Sequence, residues 1–450
     1  MKMKKKFRIV MLSSLLVTSS FYVLPGRVFE PGIAVATAEN RQSKAAFDQK
    51  VIARISTEKM YKDAYFLSET IGPRVTGTEE EKYTAKFIKE RLLSYGYEVE
   101  VQEFGIPDKT IGHLRTANGD EVLVTIPAGS AATADEGLAA RLYDAGLGYP
   151  TDFNTESAGK IALILRGELT FQQKVENAYA AGAVAVLIYN NIDQASPLNP
   201  SIGENAPIPV GGITKLSGEA LREEVLLKTE TVTLNVKHIG NMTSQNIIAK
   251  RSPKKSGKHD ILHVSAHYDS VPFAPGASDN ASGTAVALEI ARVLKSYPIE
   301  KELRFAFVGA EEIGLVGSRY YVSQLTADEI GRSIGNFNMD MVGTSWENAT
   351  AIYMNTVDGK SNLVSQTAAE TAARIATPSK LVLYQRGSSD HVSFHDVGIA
   401  AVNFIRREPG TANLEPYYHS PQDTIEHVSR ERLKEAGNLV GSSVYNLIGK

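Results

Sequence analysis

The sequence predicts an α/β protein: a mixed, mostly parallel sheet flanked by helices, with a smaller α/β unit inserted into it. Three observations carry that expectation. From Asn246 to the C-terminus, strand-like and helix-like segments alternate, the pattern of a sheet covered on both faces. Between Gly159 and Asn191 lies one well-marked strand–helix–strand unit, in a region of short β-like runs and many small residues. Ahead of both, the chain reads helix, helix, strand. With 43% hydrophobic and 22% charged residues in 450, the composition is globular and excludes a disordered, collagen-like or coiled-coil chain.

Lys2, Lys4, Lys5, Lys6 and Arg8 precede an uncharged apolar stretch from Ile9 to Leu24, and small-residue sites follow around Ala34 to Ala38. This reads as a secretory signal peptide over residues 1–38, too short in its apolar run for a membrane span. Its removal changes the net charge from −3 to about −8. No basic block lies beyond it, so nucleic acid is not an expected partner, and neither is a membrane after signal removal. The chain has no cysteine, which excludes a disulfide scaffold, a catalytic thiol and a thiolate metal site. Any metal must be held by His and carboxylates.

Phe47 to Thr70 and Glu79 to Tyr95 show helical spacing, with Gly96 at a C-cap position, and Tyr97 to Phe104 alternates as a strand does. These belong to a first part of the main domain, residues 39–117. Residues 118–240 are expected to form the insertion. Within it, Ile161 to Leu165 and Val184 to Tyr189 are strand-length apolar runs, and Phe171 to Ala181 between them has helical pattern. This unit, GKIALILRGELTFQQKVENAYAAGAVAVLIYNN, resembles the core of the protease-associated domain, which implies a lid or substrate-access role without catalytic residues. Residues 241–450 complete the main domain.

There the strands Asn246 to Lys250, Ile261 to Ala266, Leu303 to Val308, Ile334 to Met339 and Ala400 to Ile405 alternate with helices. The helices are expected at Ala281 to Lys295, Val316 to Leu325, Leu363 to Ile375 and Arg430 to Leu447. Polar residues fall at the strand ends. Ile261 to Ala266 runs into His267 and Asp269, followed by a Gly-rich loop with Asp279. Leu303 to Val308 runs into Glu311 and Glu312, and Ile334 to Met339 into Asp340. His419 can return from the C-terminal loop. In α/β sheets, sites gather at the carboxyl ends of strands. Three carboxylates and two imidazoles form a ligand set that Zn²⁺ accepts, with Glu311 or Glu312 left over beside it.

The stretches AHYDSV, SDNASG, GAEEIGLVGS, NMDMVG and YYHSPQDT, with IGPRVTGTEEEKYTAKFIKERLLSYGYEVE before the insertion, resemble the two-zinc bacterial leucyl aminopeptidase type of exopeptidase in peptidase clan MH. The resemblance implies the zinc-exopeptidase fold and two zinc ions per chain. Asp279 would bridge them, with His267 and Asp340 at one and Glu312 and His419 at the other. Asp269 would orient His267. Glu311 is implied as general base toward a metal-bridged water, and Tyr418 as a donor to the tetrahedral oxyanion. Glu311 and Asp340 are candidates to hold the free α-amino group of a peptide or protein N-terminus. Asp390, in the Gly387 to His391 loop, matches a position near the substrate pocket, with Phe394 a wall of it.

His391 and His395 are spaced by four, but no H-E-x-x-H motif is present, and they are read as structural or pocket residues. The absence of G-x-S-x-G and of G-x-x-x-x-G-K-[ST] sets aside serine-hydrolase and phosphate-loop readings. Two alternatives remain: a carboxypeptidase of the same clan, for which the insertion offers Arg141 and Arg166 but no Arg patch, and a non-catalytic binding module of the fold.

Overall fold

The computed structural model describes residues 38–226 and 231–449. The expected signal segment, all but Ala38, lies outside the described residues. No helix among them is long and apolar enough to cross a membrane.

The stretch from Phe47 to Thr70 is two helices rather than one. Ala38–Ile52 ends, the chain restarts as Thr57–Tyr65, and a π-turn follows over Phe66–Ile71. Ser56 makes the break. Its hydroxyl accepts the Lys59 N–H at the new N-terminus, and its own N–H donates to the Glu289 carboxylate at 2.6 Å, so donors that a helix start leaves open are satisfied.

The main sheet has eight strands in the order Glu98–Gly105, Thr243–Arg251, Glu302–Val308, Ile261–His267, Ser333–Met339, Ala401–Arg407, Ala351–Thr356 and Leu381–Gln385. Its four central strands, Glu302–Val308 to Ala401–Arg407, are mutually parallel, and antiparallel pairings appear on either side of them. Ala351–Thr356 and Leu381–Gln385 were not expected from the sequence.

Alternation along the strands sorts side chains to two faces. Phe305 and Phe307 join the larger core with the helices Gly283–Leu294, Leu363–Ile375 and Arg430–Ile448. Ala306 and Val308 point the other way, to Tyr321, Val322, Phe394 and Ile399. Burying a Phe or Leu fully contributes about 1.5–3 kcal/mol, so both faces hold the sheet. The second face also carries a buried polar row. Ser265 donates to Asn338 Oδ1 at 2.7 Å, and Asn338 donates to Asn403 Oδ1 at 3.1 Å and Ser389 Oγ at 2.9 Å. The row locks adjacent strands in register just before His267 and Asp340.

A second eight-stranded sheet makes up the insertion. Its Ile161–Leu165, Ala185–Tyr189 and Val210–Ile213 strands are parallel neighbours, and the expected helix between the first two is Phe171–Ala180. The strand Lys109–Thr116 belongs to this sheet too, because it pairs along its length with Thr231–Ile239. The second sheet therefore draws on a strand ahead of residue 118.

Candidate metal centre and active site

Each strand end delivers its residue through a specific local device. His267 is the last residue of Ile261–His267 and is buried. Its Nδ1 lies 3.2 Å from the Asp269 backbone carbonyl, which fixes the ring and turns Nε2 toward the acids. Asp279 lies in the turn Ala277–Ser282 that leads into Gly283–Leu294. That turn is packed so closely that a Cβ on Gly276, at φ +64°, would meet the Asp279 carbonyl at 2.4 Å and the Arg74 guanidinium at 2.8 Å. Glycine is required there. Glu311 and Glu312 follow Gly309, where a Cβ would meet Ser244 Oγ at 2.4 Å and Glu81 Oε1 at 2.7 Å.

Asp279 faces two imidazoles at once. Its Oδ1 lies 3.3 Å from His267 Nε2, and its Oδ2 lies 3.2 Å from His419 Nε2. Asp340 Oδ1 is 3.5 Å from the same His267 nitrogen, and Glu312 Oε2 is 3.2 Å from the His419 nitrogen. The five expected ligands thus fall into two triads that share Asp279, each with its ligand atoms within 4.8 Å of one another. Glu311 and Glu312 also come within that distance of His267.

The donor set fits two divalent ions by its own chemistry. Glu312 Oε1 is buried without a hydrogen-bond partner, and Asp340 Oδ1 and His419 Nε2 have only the facing ionic contacts above and no well-directed hydrogen bond. Orphaned polar atoms of that kind cost free energy unless something binds them. Three N/O ligands per ion leave positions for water and substrate, as catalytic zinc sites require. The titration pattern agrees with a crowded anionic cage. Burial raises Glu311 well above the ordinary carboxyl range, and neighbouring Asp390, Glu312 and Asp340 add to this against His267. Burial, with Asp279 beside it, pushes Glu312 up to about 7. Burial alone would lower His419, but the Asp279 and Glu312 carboxylates push it up to about 10.

Asp269 also braces the turn that carries Glu311 and Glu312. Its carboxylate accepts the backbone N–H groups of Glu311 and Glu312, both at 3.2 Å, and the Thr76 hydroxyl at 2.9 Å. It ties the strand carrying one ligand to the turn carrying another. Tyr418 is partly exposed and stacks on the His419 ring at 3.7 Å between centroids. Asp390 is fully buried, has neither oxygen hydrogen-bonded, and is pushed up to about 7 by burial. It lies close enough to Glu311 to raise that carboxyl.

Phe394 is the residue that the structure moves. It is 0% exposed, packed against the rings of His263 at 5.3 Å and Tyr321 at 5.8 Å, so it belongs to the core of the second face. His391 is buried and its Nε2 meets the Arg386 carbonyl at 2.8 Å, a structural contact. Arg166 donates to Asn190 inside the insertion.

Sequence reasoning missed three groups that hold the site. Asp423 accepts the N–H groups of Ser278 at 2.7 Å and Asp279 at 3.0 Å; it stands four residues after His419, inside the YYHSPQDT stretch. Arg74, fully buried, donates to the carbonyls of Tyr268, Leu67, Gly72, Pro275 and Gly276. It stands inside the IGPRVTGTEEE stretch. Glu81 accepts Gly77 N–H and Ser244 Oγ behind the Glu311 turn.

The chain is similar to proteins of known family. Residues 246–444 match the model of Peptidase family M28, and residues 122–221 that of the PA domain. Aminopeptidase YwaD of Bacillus subtilis is 47% identical over 447 residues, 99% of this chain and 95% of that one. The structure of BSAP, a zinc aminopeptidase from Bacillus subtilis, superposes with TM-score 0.73 at 49% identity, covering 88% of this chain and 96% of that one. An aminopeptidase from Aneurinibacillus sp. strain AM-1 gives TM-score 0.60 at 38% identity, covering 89% and 96%. A chain that aligns with such relatives over most of its length belongs to Peptidase family M28, with a PA domain inserted in it.

Proposed function

We propose that this protein is a secreted zinc-dependent aminopeptidase that removes the first residue from peptide or protein N-termini. The observation that carries the reading is the single carboxylate of Asp279 set between His267 and His419. Two ions held a few ångströms apart need a shared anion to offset their repulsion. His267, Asp279 and Asp340 would hold one zinc, and Asp279, Glu312 and His419 the other.

When bound, the zinc pair polarises the scissile carbonyl and lowers the pKa of water. The remaining work falls to side chains. Glu311 is half-buried and crowded by other acids, so its carboxylate is a receptive base; it takes the proton from the attacking water and returns it to the departing amine. General acid–base work of this kind contributes about 10²–10⁴-fold in rate. Tyr418, exposed and stacked on His419, is the donor proposed for the oxyanion as charge develops. Glu311 and Asp340 supply negative charge for the free α-ammonium group, and Asp390 adds to the acidic wall behind Glu311. The inserted domain overhangs His419 through Ser196, which supports a role in substrate access.

The test is hydrolysis of aminoacyl p-nitroanilides, each offered with a free and with an N-acetylated amine. Cleavage confined to the free amines, abolished by a chelator and restored by zinc, is the expected result. Equal cleavage of acetylated substrates would overturn recognition of the amino end.

A further inference from the structure

Among the described residues, two side-chain hydrogen bonds and no ion pair join the inserted domain to the main one. At its root, Lys109 Nζ donates to the Thr76 carbonyl at 2.5 Å. At its far reach, Ser196 Oγ donates to the backbone carbonyl of His419 at 2.6 Å. The second contact ends on a metal ligand.

His419 needs such support. It adopts φ 54°, a left-handed conformation that a residue with a Cβ rarely takes and that must be held by its surroundings. Its imidazole is the most exposed of the proposed ligands, with 36% of the side chain accessible, against 1% for His267. Ser196 is well placed to supply that support. Asn190 at the end of the Ala185–Tyr189 strand donates to Gln194 at 2.9 Å. On the other side, Leu198 is buried in the insertion's own core. Ser196 therefore moves with the inserted domain.

We propose that Ser196 is a positioning residue through which the inserted domain sets the pose of His419, so that the zinc held by Asp279, Glu312 and His419 is bound more tightly than the main domain alone would bind it. The inference rests on the two-zinc reading above. It makes the two sites unequal in their dependence on the insertion. His267 and Asp340 are carried by strand ends inside the main sheet and have no contact of this kind. Loss of the Ser196 hydroxyl should therefore weaken one ion and leave the other.

The experiment is titration of the full-length protein with zinc against a competing chelator, for wild type, Ser196→Ala, Ser196→Thr and Ser201→Ala as a control on the same loop. One hydrogen bond corresponds to roughly three- to tenfold in affinity. The expected result is two zinc ions in wild type, with one dissociation constant raised by that factor in Ser196→Ala. The other constant should stay unchanged, Ser196→Thr should restore the wild-type pair, and Ser201→Ala should match wild type. Two unchanged constants in Ser196→Ala, or two constants weakened together, would overturn the proposal. A wild type that binds no zinc pair would overturn the metal reading itself, and this inference with it.

Discussion

Asp423 holds Asp279 by its main chain: its two carboxylate oxygens take the N–H groups of Ser278 and Asp279 at 2.7 and 3.0 Å. Both oxygens are occupied as acceptors, which an amide cannot reproduce. Asp423→Asn keeps the shape but turns an NH₂ group toward one of the two N–H donors. Partners behind metal ligands typically carry about 10–100-fold in metal affinity, and a loss of that order is expected by chelator competition, with the far-ultraviolet circular dichroism unchanged.

Zinc binding should release protons at neutral pH. The metal-free His419 imidazole is pushed up to about 10 by Asp279 and Glu312, so at pH 7 it carries a proton that the ion must displace. Affinity accordingly rises with pH from 6 to 9. Calorimetric titration in two buffers of different ionisation enthalpy should show net proton release; identical heats in both would contradict the assignment of His419.

Phe394 is a test of the core assignment. It packs on His263 and Tyr321 with no exposure, so Phe394→Ala should cost about 3–5 kcal/mol of stability by urea unfolding. The folded fraction should keep a KM near that of wild type across aminoacyl substrates. A substrate-dependent KM change without loss of stability would return Phe394 to a pocket wall.

His263 gives a pH dependence independent of metal. Burial, with Arg304 nearby, pushes its pKa down to about 3, while Tyr321 OH at 3.0 Å and Ser333 Oγ at 2.8 Å bond the ring. The unfolded imidazole titrates near 6.5, so below that pH the unfolded chain binds a proton that the native state refuses. Its share of stability is lost as pH falls from about 6.5 toward 3, by up to roughly 1.4 kcal/mol per pH unit. Urea unfolding between pH 6.5 and 4.5 should show a shallower slope in His263→Gln than in wild type; equal slopes would contradict a neutral buried His263.

What could be read from the sequence was what period and strand ends encode. The helix Leu363–Ile375 and the strand Ile161–Leu165 lie where their apolar spacing puts them, and His267, Asp279, Glu312, Asp340 and His419 converge as one set. The strand Leu381–Gln385 escaped because it is an edge strand with a largely exposed face, which leaves little alternation to detect. The break at Ser56 escaped because apolar spacing continues through it, and the local cap is completed by a long-range bond to Glu289. Asp423 and Arg74 act through backbone groups brought close by the fold. Phe394 misled because a motif position says nothing about which face of the sheet a side chain packs on.

The most direct test of the central claim is zinc content and turnover of Glu311→Gln beside wild type. The predicted result is about two zinc ions per chain in both, with turnover in the variant reduced by about 10²–10⁴-fold at similar KM. A variant that keeps wild-type turnover, or one that loses activity only because it loses zinc, would contradict the assignment of Glu311 as base.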